Sequence, residues 1–143
     1  MTSLMPANSP KPFNLQDRLL LFACDVVRAV QFLQTRGAVA RALSYQILDA
    51  GTSVGSNAEE ADGASSRKDF IAKMRISLKE AKEVRYRMTV CRRCEFLDGR
   101  FDPLLQESDE IVRIIGKIVH NATRNALANK LRSALTLIMG IWH

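Results

Sequence analysis

The stretch "TSVGSNAEEADGASSRKDF", Thr52 to Phe70, decides how this chain is read. It is crowded with Gly, Ser, Ala, Asn and acidic residues, and it lies between two segments of strong helical patterning. It could be a loop, an active site, or a helix whose small residues serve packing. Leu43, Ile47, Ala50 and Val54 recur at spacings of 4-3-4, and Asn57 and Ala61 carry the same rhythm onward. Side chains so spaced fall on one stripe of an α-helix. A loop would not keep that register, so the spacing predicts helix through about Ala61, with Asn57 at a seam position. Gly51 and Gly55 lie one turn apart. Each costs about 1 kcal/mol of helix propensity relative to Ala, and together they let a neighbouring helix approach closely. The break is expected at "DGASS", with Gly63 at C′. Ser66 with Asp69 three residues on resembles a capping box that starts the next helix.

Three further seams share the rhythm. Leu15, Leu19, Phe22, Val26, Ala29 and Leu33 form the first, with Asn14 as N-cap and Gly37 as stop. Phe70, Met74, Ser77, Ala81, Val84, Met88 and Cys91 form the third. Leu104, Ser108, Ile111, Ile115, Ile118 and Ala122 form the fourth, opened by an Asp102-Pro103 pair suited to N-cap and N1. Four amphipathic helices joined by short turns make an all-α, antiparallel up-down four-helix bundle the expected fold, over residues 14–125. Residues 1–13 are Pro- and Ser-rich and read as a flexible N-terminal arm. Residues 126–143 carry Leu127, Leu131, Leu135, Ile138 and Trp142, which read as an apolar C-terminal helical extension. So much apolar surface should be covered, by the bundle or by a neighbouring subunit.

With 143 residues and 47% hydrophobic content, the chain fits one domain with a real core. Three cysteines do not make a disulfide framework and point to a reducing cytoplasm. No secretory signal pattern opens the sequence, and no apolar run is long enough to span a membrane.

The polar residues offer little for chemistry. His120 and His143 are the two histidines, and neither has a ligand pattern nearby. Asn57 and Glu60 read as facing inward or toward an interface; fixing helix register or subunit pairing explains them better than acid–base catalysis. Gly51, Gly55, Asn57 and Glu60 are thus structural or interface candidates, and no catalytic residue is assigned. Cys91 and Cys94 form a "CRRC" pair without the two further ligands a zinc site needs. The pair lies near a helix C-terminus, where the dipole does not favour thiolate. No phosphate loop, metal site or cofactor is expected.

The net charge of +6 is concentrated: residues 67–100 hold 11 basic and 5 acidic side chains. On the third helix Lys68, Arg75, Lys79, Lys82 and Arg93 project within one narrow arc, with Tyr86 among them, opposite the Phe70-to-Cys91 seam. Glu80 and Glu83 flank the arc, and Lys79 is placed to pair with Glu83 at i,i+4. A line of cations with one aromatic suits phosphate contacts and a stacked base. A solvated bundle face is the alternative.

Ser53, Val54, Asn57, Glu60, Ala61, Ser65, Ser66, Asp69, Phe70, Ile71, Glu80, Ala81 and Glu83 resemble the central pattern of a known group. These are the bacterial four-helix bundle proteins first noted as products of intervening sequences within 23S ribosomal RNA genes. The resemblance runs from about Asn14 to Ala122. It departs at Arg85-Tyr86-Arg87-Met88, where relatives often carry Tyr-Trp-Leu and where this chain is more basic. It implies a helical bundle assembled into rings, typically pentamers, with no known enzymatic activity. A similar bundle is the accessory protein of diversity-generating retroelements, which binds nucleic acid and a reverse transcriptase. The expected function is a non-enzymatic cytoplasmic homo-oligomer that binds RNA or DNA through its third helix, away from membranes. A scaffold docking a polypeptide partner is the competing expectation.

Overall fold

The computed structural model describes residues 14–141. Four helices follow in order: α1 (Leu15–Leu33), α2 (Ala38–Asp62), α3 (Arg67–Arg93) and α4 (Asp102–Ile141). A single 3-10 turn, Gly99–Phe101, precedes α4. The N-terminal arm, residues 1–13, together with Trp142 and His143, lies outside the described residues.

α1 and α3 start where side-chain oxygens can satisfy free backbone N–H groups. Asn14 Oδ1 accepts from the Gln16 amide at 2.8 Å, and Ser66 Oγ accepts from the Asp69 amide at 3.1 Å. Gly37, at φ +98°, turns the chain between α1 and α2 in a conformation that side chains rarely adopt. Gly63 ends α2 as expected, but at φ −90°, so the left-handed C′ role assigned to it is not used. Asp102 and Pro103 do not act as N-cap and N1, because the 3-10 turn runs directly into α4. The cap falls to Asp98, whose side chain accepts from the Arg100 amide at 3.0 Å.

Neighbouring helices are antiparallel, since partners rise in number on one helix as they fall on the next. On α2 and α3, Glu60 meets Lys73 and Val54 meets Ser77. On α3 and α4, Arg92 meets Asp102, Arg85 meets Asp109, and Leu78 lies against Gly116. Helices consecutive in the chain pack along their lengths, whereas α1 and α4 touch far less. Arg18 ties that open seam, donating to Glu107 at 2.7 Å and to Glu110 at 2.6 Å. At one end, Phe32 and Phe101 stack at 5.1 Å with the Arg100 guanidinium 4.7 Å over the Phe32 ring.

The core holds the seams of α1, α3 and α4 largely as read. Leu19, Phe22, Val26, Ala29 and Leu33 are buried, as are Met74, Ser77, Ala81, Val84, Met88 and Cys91, and Leu104, Ser108, Ile111 and Ile115. On α2 the seam drifts. Ser44 and Ala58 are buried where Leu43 and Asn57 were expected, alongside Ile47, Ala50, Gly51, Val54 and Ala61. A 3.6-residue repeat permits a step of four after Val54 as readily as three, and Ala58 enters the core with no polar group to satisfy. Asn57 stays half-buried and donates to the Ser53 carbonyl of its own helix at 2.8 Å. Glu60 does not face inward either. It is exposed and bonds Lys73 at 2.7 Å.

The two glycines pack inside the bundle. A Cβ at Gly51 would stand 2.5 Å from Val26 Cγ1, and one at Gly55 3.3 Å from Leu19 Cβ. Both therefore admit α1 of the same chain, which is the close helix approach that their one-turn spacing predicts.

The C-terminal extension is not a separate element but the continuation of α4. The α3–α4 pairings advance by seven residues on each helix, from Arg92–Asp102 to Arg85–Asp109 to Leu78–Gly116. Continued in step, the first residue of α3, Arg67, comes level with residue 127. Every residue from Leu127 to Gly140 is exposed. Of the two covers expected for this segment, its own bundle or a neighbouring subunit, the described residues of the bundle supply none: α4 outlasts its neighbours.

Candidate nucleic-acid interface

Lys68, Arg75, Lys79, Lys82, Tyr86 and Arg93 are all exposed on the face of α3 that points away from the core. From Lys68 to Arg93 the line is about 38 Å long at the α-helical rise. Tyr86 is 71% exposed, so its ring is open to a stacking partner.

The bundle sorts the cations of α3 by direction. From Lys73 onward those on its flanks meet acids, most of them on the adjoining helices, while Arg67 in its first turn forms no ion pair among the described residues. Lys73 bonds Glu60 on α2, while Arg85 reaches Asp109 at 3.6 Å and Arg92 bonds Asp102 at 2.7 Å, both on α4. Arg87 pairs with Glu83 at 3.1 Å within α3. That last pair corrects the expected Lys79–Glu83 contact, because Glu83 turns toward Arg87. Among the described residues, none of the five cations on the outward line forms an ion pair. The positive field on that face is left standing while the flanks are neutralised.

Glu80 lies off the line, half-buried on the flank of α3 that meets Asp49 of α2. Its carboxyl is held above its ordinary range, first by burial, then by Glu83 and Asp49, with Lys79 pulling the other way. Ile76, which the seam analysis passed over, is exposed among these cations. It falls outside the 4-3 stripe, so its apolar character gave no signal of where it points.

The other candidates separate from this face. Cys91 is buried on the seam, its thiol pushed up to about 11 by burial and the nearby Cys94, while Cys94 is exposed. No group of three or more metal-ligating side chains occurs among the described residues. No described helix is long and apolar enough to cross a membrane.

Residues 16–117 match the family described as "23S rRNA-intervening sequence protein". The chain belongs to that family. A crystal structure of a family relative is similar over most of the bundle. That relative is a protein of unknown function from the S23 ribosomal protein family of Bacteroides thetaiotaomicron, 36% identical, with a TM-score of 0.68. The alignment covers 74% of this chain and 98% of the relative. No curated protein matches. The family match ends at residue 117, so α1 to α3 and the first part of α4 are family features, and the overhang of α4 lies outside the matched span.

Proposed function

We propose that this protein is a non-enzymatic oligomer that binds RNA or DNA along the outward face of α3. The observation carrying the proposal is the contrast within one helix: flanking cations from Lys73 onward are neutralised, while Lys68, Arg75, Lys79, Lys82 and Arg93 stand exposed without ion pairs among the described residues. Evenly placed cations on a straight helix follow a phosphate backbone, and Tyr86 offers a surface for an unpaired base. The family description and the relative's S23 ribosomal assignment both name RNA contexts, which favours RNA as the first ligand to test. Several copies in a ring, typically five as the resemblance implies, would turn weak single-helix contacts into avidity. Three free cysteines suit the reducing cytoplasm of a bacterium.

The test is an electrophoretic mobility shift with structured RNA, single-stranded RNA and duplex DNA at two salt concentrations. Arg75→Glu, Lys79→Glu and Lys82→Glu together should abolish binding while the helical content stays that of the parent. The log–log salt slope should be about −0.7 to −0.9 per phosphate neutralised. Tyr86→Ala should cost about 1–3 kcal/mol on single strands and less on duplex. A triple variant that binds as well as the parent removes the nucleic-acid reading and leaves a scaffold for a polypeptide partner.

A further inference from the structure

α4 carries a cationic row of its own beside that of α3. At about 100° per residue, Arg113, Lys117, His120 and Arg124 fall within an arc of about 60°, on the side of α4 opposite Leu104, Ser108, Ile111 and Ile115. All four are exposed, and none forms an ion pair among the described residues. In the register set by Arg85–Asp109 and Leu78–Gly116, each stands within two residues of one member of the α3 line. Arg113 comes beside Lys82, Lys117 beside Lys79, His120 beside Arg75 and Arg124 beside Lys68. Two rows therefore run side by side for about 21 Å, the helical rise from Lys68 to Lys82.

Acids are kept away from this stretch on both helices. Those of α3, Asp69, Glu80 and Glu83, project on the flank of Lys73, which meets Glu60 on α2. On α4 the last acid is Glu110. Arg85 and Arg67 share the opposite flank of α3, the one that faces α4, and they show the change. Arg85 meets Asp109, whereas Arg67 comes level with Leu127, where α4 has no acid to offer, and it stays exposed. A face with cations on both helices and acids on neither concentrates a positive field.

Resting on the nucleic-acid reading above, we infer that the ligand is double-helical and lies across α3 and α4, one phosphate backbone on each row. Arg113, Lys117 and Arg124 are then phosphate contacts. A single strand fills one row, and a second row beside it calls for a second backbone. Packed helices lie about 8–10 Å apart, so rows on their outward sides are spaced like the rims of a duplex groove, roughly 12 Å across in the DNA major groove. The minor groove of an RNA duplex is likewise wide and is held through its backbones. Leu78 and Gly116, where the two helices meet between the rows, have no side-chain group to bond a base edge. The face therefore grips backbone and shape rather than sequence. Tyr86 lies level with Ser108, beyond the second row, where a single strand continues along α3 alone.

Mobility-shift titrations with a short RNA duplex, the matching DNA duplex and one separated strand of each test the inference. Arg113→Gln with Lys117→Gln is compared with Lys130→Gln with Arg132→Gln, which removes the same charge from the part of α4 past the end of α3. All four residues are exposed, and circular dichroism should show both variants folded. The first pair should weaken duplex binding about tenfold or more, lower the log–log salt slope by about 2, and leave single-strand binding within about twofold of the parent. The second pair should bind duplex as the parent does. If the first pair leaves duplex binding unchanged while the Arg75, Lys79 and Lys82 variant loses it, the inference falls and the one-helix reading stands. Equal losses on duplex and single strand overturn the double-helical ligand, and equal losses from the two pairs show that binding follows net charge alone. A parent that binds no nucleic acid removes both readings.

Discussion

Ser77 Oγ on α3 donates to the main-chain carbonyl of Val54 on α2 at 2.7 Å, in a fully buried position. Two other buried serines, Ser44 and Ser108, instead bond carbonyls of their own helices, Arg41 and Leu105. The three sites look alike in burial but differ in what they join. Ser77→Ala should lower stability by about 1 kcal/mol, the net worth of a lost hydrogen bond. Ser44→Ala and Ser108→Ala should cost less, because Ala is the better helix former and no second helix is released. Urea denaturation of the three variants measures the difference; equal losses would show that the α2–α3 bond contributes nothing of its own.

Gly51 and Gly55 should respond differently to alanine. At Gly51 the added methyl meets Val26 at 2.5 Å, and α1 must shift. Overpacking of this kind costs about 1–3 kcal/mol, against about 1 kcal/mol gained in helix propensity. Gly51→Ala should therefore destabilise or at best break even. At Gly55 the nearest atom is 3.3 Å away, and a displacement of a few tenths of an ångström relieves it. Gly55→Ala should be the more stable of the two in thermal melts.

Glu95 ends α3 at φ +62°, the one non-glycine with positive φ among the described residues. The Phe96 amide donates to the Cys91 carbonyl at 2.9 Å and the Glu95 amide to the Arg92 carbonyl at 3.2 Å, the pair of bonds of a Schellman ending. A side chain in this conformation costs roughly 1–2 kcal/mol, which glycine avoids. Glu95→Gly should raise stability by up to about 1 kcal/mol once the greater freedom of the unfolded chain is set against that gain. A lower melting temperature for the variant would refute this account of the turn.

Glu80 has its affinity for a proton raised by folding, chiefly through burial. The folded state then binds the proton more tightly than the unfolded state, so ionised Glu80 works against folding at neutral pH. That penalty fades as pH falls through the carboxyl's raised range toward 4.5. Glu80→Gln should be at least as stable as the parent at neutral pH, with the advantage vanishing in acid. Removing a negative charge beside Lys79 should also tighten binding of a polyanion. Melts across the pH range and the mobility-shift titration read these two effects separately.

The four helices were legible in the sequence because helix formation and its stops are local. The 4-3 rhythm fixes which side of each segment is apolar, and Asn14, Gly37 and Ser66 mark ends through chemistry that involves only nearby residues. The outward line on α3 was legible for the same reason, being the side opposite its seam. What the helices do to one another was not local. Whether Asn57 or Ala58 enters the core depends on how α2 is rotated against α1 and α3. Val26 decides what Gly51 is for, and Glu60, Asp109 and Asp102 decide which cations of α3 are neutralised. The sequence likewise predicted an apolar helix after Leu127, but only the tertiary structure showed it exposed among the described residues, because exposure depends on where α3 begins beside it. Periodicity is a property of one segment, whereas burial and charge pairing belong to the space between two.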